Sequence, residues 1–165
     1  MTTPNYASAD PKVLEEIIRE AESLLAGQLT AATAADQRAL TFAGLLVASV
    51  AAFLSFSGTA KLATQPSLLV SGTLLAAAAI IAFWSAAPGS WDYTGNMPSE
   101  WKHDIDGRRA LGSSMAEMAE HYDAAIARNY RRMRRAAIAI RTSMAAAGLA
   151  MIVAILTLWA RYLAA

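Results

Sequence analysis

The chain has 165 residues, of which 56% are hydrophobic and 16% charged, and its mean hydropathy is +0.33. That balance is too apolar for an ordinary soluble domain and points to a one-domain membrane protein. A net charge of +1 gives no global bias toward nucleic acid, and the absence of cysteine excludes disulfides, thiolate metal sites and a cysteine nucleophile.

Residues 1–10 hold no apolar core of a signal peptide and are expected to be a short disordered lead. Asp10 and Pro11 suit the cap and first position of a helix. Leu14, Ile17, Ile18, Ala21, Leu24 and Leu25 then share one helical face, with Glu15, Arg19 and Glu22 on the other. Residues 11–38 therefore form an amphipathic helix that needs a partner. Gly27 is its weakest point. The chain either continues straight into the membrane or folds back there, and the lack of a strong breaker in 28–38 favours continuity.

Residues 39–60 carry no charge, and 39–57 are long enough to span a core of roughly 30 Å. Within them Gly44, Ala48 and Ala52 repeat every four residues, a spacing that lets a neighbouring helix approach. Residues 58–67 make a short connection with one charge, Lys61. A second span covers 67–87, with Trp84 near its end for the interfacial belt, and Pro88-Gly89 stops it. Residues 88–109 are the only long irregular stretch, and their aromatics are expected at the membrane surface or covering the base of a helical stalk.

Residues 110–163 read as one helix. Its first part, 110–141, is amphipathic, with Met115, Met118, Tyr122, Ala125, Asn129 and Met133 as the stripe and Ser114 to Glu117 as a potential capping box. Its last part, 142–162, is the third span, with Ala146, Ala150 and Ala154 as a second small-residue ladder and Trp159, Arg161 and Tyr162 at the far interface. The predicted fold is all-α: three transmembrane helices with a cytosolic helical stalk built from extensions of the first and third.

Topology follows from the basic residues. Twelve lie before the first span or between the second and third, and only Lys61 and Arg161 lie on the other side. The positive-inside rule places the N-terminus and residues 88–141 in the cytosol and the C-terminus opposite.

The strongest local feature is a collar of Arg128, Arg131, Arg132, Arg134, Arg135 and Arg141. Anionic lipid contact, a pocket for a phosphate-bearing ligand and a plain topology anchor all fit it. Asp36 and Arg38 are the polar pair at the mouth of the first span. His103, Asp104 and Asp106 lack a further ligand at metal spacing, His121 reads as a helix-surface residue, and Ser113-Ser114 has no nearby base. No catalytic residue, metal ligand or cofactor is predicted, and an enzyme is not expected. The spans hold no acid or histidine for an ion path.

The layout of an amphipathic helix, Asp36-Gln37-Arg38-Ala39 opening a span, a hairpin, a cytosolic segment and a long helix into the third span resembles the small membrane effectors of bacterial cyclic-nucleotide-triggered antiphage systems, the Pycsar type. In that family an Asp-x-Lys-Ala stretch often opens the first membrane helix; here Arg38 stands for the lysine, and Asp36 and Ala39 match. The resemblance implies a homo-oligomer in a bacterial inner membrane whose cytosolic part senses a signal, such as a cyclic nucleotide, and whose spans impair the membrane. Gly95-Asn96-Met97-Pro98-Ser99-Glu100-Trp101 is also similar to a Gly-Asn-x-Pro-x-x-Trp signature of uncharacterised small bacterial membrane proteins, which implies no function. A structural or accessory subunit of a larger inner-membrane complex is the alternative expectation, motivated by small size, Ala-rich spans and a polar stalk suited to docking.

Overall fold

The computed structural model describes residues 4–58 and 66–164; the expected connection at 58–67 lies almost entirely outside them. The described chain is all-α: α1 (Pro11–Gly58), α2 (Pro66–Ser85), the short α3 (Lys102–Asp106) and α4 (Leu111–Ala164), with 3-10 turns at Tyr6–Ser8 and Pro98–Trp101. α1, α2 and α4 are long and apolar enough to cross a membrane. At 48 and 54 residues, α1 and α4 are more than twice the roughly 20 residues a bilayer core requires, so a large part of each lies outside it.

α1 begins as its sequence dictates. The Asp10 carboxylate accepts the Lys12 backbone N–H at 2.8 Å and the Asp10 carbonyl accepts the Leu14 N–H at 3.0 Å. The helix then passes Gly27 without a break. α4 begins at Leu111, so Ser114 sits inside its first turn and is no cap; the Ala110 carbonyl accepts the first N–H bonds instead. Residues 6–8 correct the expectation of a disordered lead: Tyr6 is buried in an apolar cluster because α1 and α4 leave an open end there that an aromatic ring can cover.

Two compact units share these helices. The first comprises residues 4–33 and 89–133. Its core holds Leu14, Ile18 and Leu25 of α1 against Ala116, Ala119, Tyr122 and Ala125 of α4. Contacts pair Pro11 with Gly112, Glu22 with Tyr122 and Gln28 with Ile126, so the two helices run parallel. The buried and half-buried positions step by fours and threes: Leu14, Ile18, Ala21, Leu25, Gln28 and Ala32 on α1, with Met115, Ala119, Tyr122, Ile126, Asn129 and Met133 on α4. That is the 3.5-residue period of a coiled-coil seam. Leu24, expected in the stripe, falls off this seam and is half exposed. Glu16 and Glu20 are exposed and pair with Arg19 on the same helix.

The second unit comprises residues 34–58, 66–88 and 134–164. Ala43 and Leu46 of α1, Ala78, Ala79 and Ala82 of α2, and Ala147 of α4 make its core. Alanine at most of these contacts lets the backbones approach closely enough for the buried Ser143 hydroxyl to donate to the Ala78 carbonyl at 2.5 Å. Only 17% of the most apolar stretch of α1 and of α4, and 28% of that of α2, is buried. Large side chains such as Leu45, Leu54, Ile80, Phe83 and Leu156 face outward, the inverse of a soluble core and the pattern expected of helices solvated by lipid.

A methyl group built on Gly27 would meet nothing within 4 Å. Gly27→Ala is therefore expected to stabilise the first unit by about 0.5–1 kcal/mol through helix propensity. Thermal unfolding followed by circular dichroism in detergent checks this; a lowered midpoint would mean that the chain bends at residue 27.

Candidate functional site

The first unit concentrates polar chemistry on the face of α4 that receives residues 89–109. Tyr122 is 1% exposed, yet its hydroxyl makes two bonds. It donates to the Glu22 carboxylate of α1 at 2.9 Å and accepts the Gly95 N–H at 2.9 Å. Gly95 takes φ +84°, which any residue with a Cβ adopts only under strain, so the glycine is what turns this N–H toward the phenol. Burial, followed by the Glu22 contact, pushes the Tyr122 hydroxyl above its ordinary pKa despite the opposing Gly95 bond.

Two turns further along α4, Asn129 is 2% exposed and clasps the backbone of Asp92. Its Oδ1 accepts the Asp92 N–H at 3.2 Å and its Nδ2 donates to the Asp92 carbonyl at 3.1 Å. The side-chain amide thus satisfies one residue of a segment that has no regular partner of its own. Arg128 holds the Asp92 carboxylate with two bonds, from Nε at 3.1 Å and Nη2 at 2.9 Å. Arg132 lies 5.6 Å from the centre of the Trp91 ring, a cation–π distance, and reaches the Ser90 hydroxyl at 3.4 Å. Residues 89–95 are therefore strapped to α4 at four points. Of the aromatics in 88–109, Trp91 lies against α4 through Arg132.

Next to the strap is a cleft of about 280 Å³. Ser114, Glu117, Met118 and His121 of α4 form one side; Asn96, Glu100, Trp101, His103 and Asp104 form the other. Arg109 crosses between them, bonded to Asp104 at 3.4 Å and to Glu117. Ser114 and then Arg109 hold the Asp104 carboxyl below the usual carboxylate range. His103, Asp104, Ser114 and His121 thus line a single cavity, although the sequence separates them. Asp106 does not join them; it pairs with Lys102. Among the described residues no three His, Cys, Asp or Glu side chains are arranged to hold a metal ion.

The arginine collar does not act as one group. In the first unit, Arg128 and Arg132 are committed to the strap while Arg131 is exposed with no bonded partner among the described residues. In the second unit, Arg134, Arg135 and Arg141 are all exposed and make no hydrogen bond or ion pair among the described residues. Asp36 is half-buried ahead of the uncharged run, and burial raises its carboxyl pKa; Arg38 is exposed. Gly44, Ala48 and Ala52 face away from the core of their unit, whereas Ala150 is fully buried in it and Ala146 and Ala154 are half-buried.

Sequence reasoning missed the strap. The one available signal was Asn129, an amide inside an otherwise apolar stripe, which has to find a partner once buried.

Tyr122→Phe leaves Glu22 and the Gly95 N–H without their shared partner and is expected to cost about 1–3 kcal/mol, read as a lower unfolding midpoint in detergent. The Arg128 bonds hold the Asp92 carboxyl below the usual carboxylate range against the opposing effect of burial. Because the folded value is depressed, this contribution to stability is present above about pH 4 and is lost as pH falls through the folded value. Trp91 fluorescence is expected to report strap release there, and Asp92→Asn to remove the transition.

No protein-family model, no curated protein and no solved structure matches this chain.

Proposed function

We propose that the chain is a non-catalytic inner-membrane protein that self-associates and impairs the membrane under control of its helical extension, an effector or pore module. The observation that carries this reading is the outward face of α1: Gly44, Ala48 and Ala52 form an exposed small-residue ladder in a helix whose own packing uses Ala39, Ala43 and Leu46 instead. A second copy approaching that ladder gains backbone-to-backbone packing, the main attraction available between helices in lipid. The extension supplies a place for control, since its cleft and strap are polar, solvent-accessible and built from irregular chain. The N-terminus and residues 88–141 face the cytosol in this reading, in keeping with the distribution of basic residues. A phosphate-bearing signal such as a cyclic nucleotide is poorly matched to the cleft, where Glu100, Asp104 and Glu117 outnumber Arg109.

A second reading, an accessory subunit of a larger membrane complex, is favoured by Tyr93, Met97, Ile105 and Leu111. These four large apolar side chains are 64–71% exposed in the first unit. Such side chains are candidates for burial against another protein.

Native mass after gentle extraction separates the two. A homo-oligomer that also releases dye from liposomes supports the effector, and Gly44→Leu with Ala48→Leu is then expected to reduce both oligomer and leakage. Recovery in fixed stoichiometry with other proteins, without leakage, supports the subunit.

A further inference from the structure

We propose that the arginines of α4 do not act as one group, and that Arg134, Arg135 and Arg141 of the second unit form a binding face for anionic lipid headgroups, whereas Arg128 and Arg132 belong to the strap and take no part in it. The inference rests on α4 crossing a bilayer and is independent of the effector reading.

The three residues meet the requirements of such a face. At about 100° per residue, Arg134, Arg135 and Arg141 fall within an arc of about 120°, with Ile138 in its middle. The half-buried Ile140 and the buried Ser143 lie on the other side of the helix, toward the core of the unit. All three arginines are exposed, and none has a bonded partner among the described residues. Ile138, 53% exposed, supplies an apolar surface between the charges.

Their depth is also right. A span of about 20 residues counted back from residue 160 reaches Arg141. Helical side chains lean toward the N-terminus, so the Arg141 guanidinium points out of the hydrocarbon toward the headgroups while its methylenes stay in the apolar region. Arg134 and Arg135 lie about 10 Å further out, within reach of a phosphate layer or of its field at a screening length of about 8 Å. A planar guanidinium donates two parallel bonds to a phosphate, which a lone topology anchor does not require. Arg128 and Arg132 carry the same charge but already spend it on Asp92 and Trp91.

The test is electron paramagnetic resonance of spin-labelled phosphatidylglycerol and phosphatidylcholine around the full-length protein reconstituted in phosphatidylcholine. The wild type is expected to show a motionally restricted lipid component with a preference for phosphatidylglycerol of about threefold or more. Arg134→Gln, Arg135→Gln and Arg141→Gln together bring that preference close to one, while Arg128→Gln keeps it and lowers the unfolding midpoint. An undiminished preference in the triple variant, or an equal loss in Arg128→Gln, overturns the proposal. If Arg128→Gln does not fold, Asp92→Asn replaces it: the carboxylate that engages Arg128 is gone, and an undiminished preference that still depends on the three free arginines is required. Displacement of the labelled lipid by inorganic phosphate at constant ionic strength would assign the face to a soluble anion and also overturn it. Absence of any restricted component would mean that the chain is not in the bilayer, which removes the membrane reading together with this one.

Discussion

The Tyr122 hydroxyl is the point on which the first unit depends. It sits at the seam of a parallel helix pair, where α1 offers a carboxylate and the segment after α2 offers an N–H. A buried phenol with no partner would be costly, and a half-buried carboxylate facing it needs a donor. One hydroxyl used as both donor and acceptor settles both. The apolar residues above and below it, Leu14, Ile18, Leu25, Ala119 and Ala125, are buried in one cluster. The seam is not perfect, since the Gln28 Oε1 is buried without a hydrogen-bond partner among the described residues.

From Tyr122 the pattern spreads along α4. Asn129 lies seven residues on, two turns along the same face, and Arg128 and Arg132 flank it on the side from which residues 89–95 approach. An irregular segment following a membrane helix has unpaired backbone groups and little apolar surface, so side chains of a rigid helix have to hold it. The strap therefore uses groups of fixed geometry: an amide, two guanidinium forks and a phenol. This division of labour gives one short arginine-rich motif two environments, with some residues neutralised by protein and others left to their surroundings.

The second unit follows a different rule. Its core is mostly alanine, and its one inter-helix side-chain bond, among the described residues, runs from Ser143 to a backbone carbonyl. In lipid the hydrophobic effect does not drive helices together, so close backbone approach and an occasional hydroxyl take its place. Most of its large aliphatic and aromatic side chains are accordingly turned outward.

The sequence by itself determined the all-α class, the three apolar spans, the Asp10 cap and most of the buried stripe on α1 and α4. Each of these depends on local spacing, 3.6 residues per turn or about 20 residues per bilayer, which a one-dimensional reading can measure. It did not reveal the buried Tyr6, the exposure of Leu24, the strap or the cleft. Leu24 and Leu25 are equivalent in composition, and only the position of the partner helix selects one of them. Tyr122 with Glu22, separated by 100 residues, and Asn129 with Asp92, separated by 37, meet because two helices and a loop fold onto each other. No local period encodes such a meeting. The arginines make the same point: in sequence they are six like charges in one cluster, and only the tertiary structure decided which of them were neutralised, because pairing depends on what approaches each face of the helix.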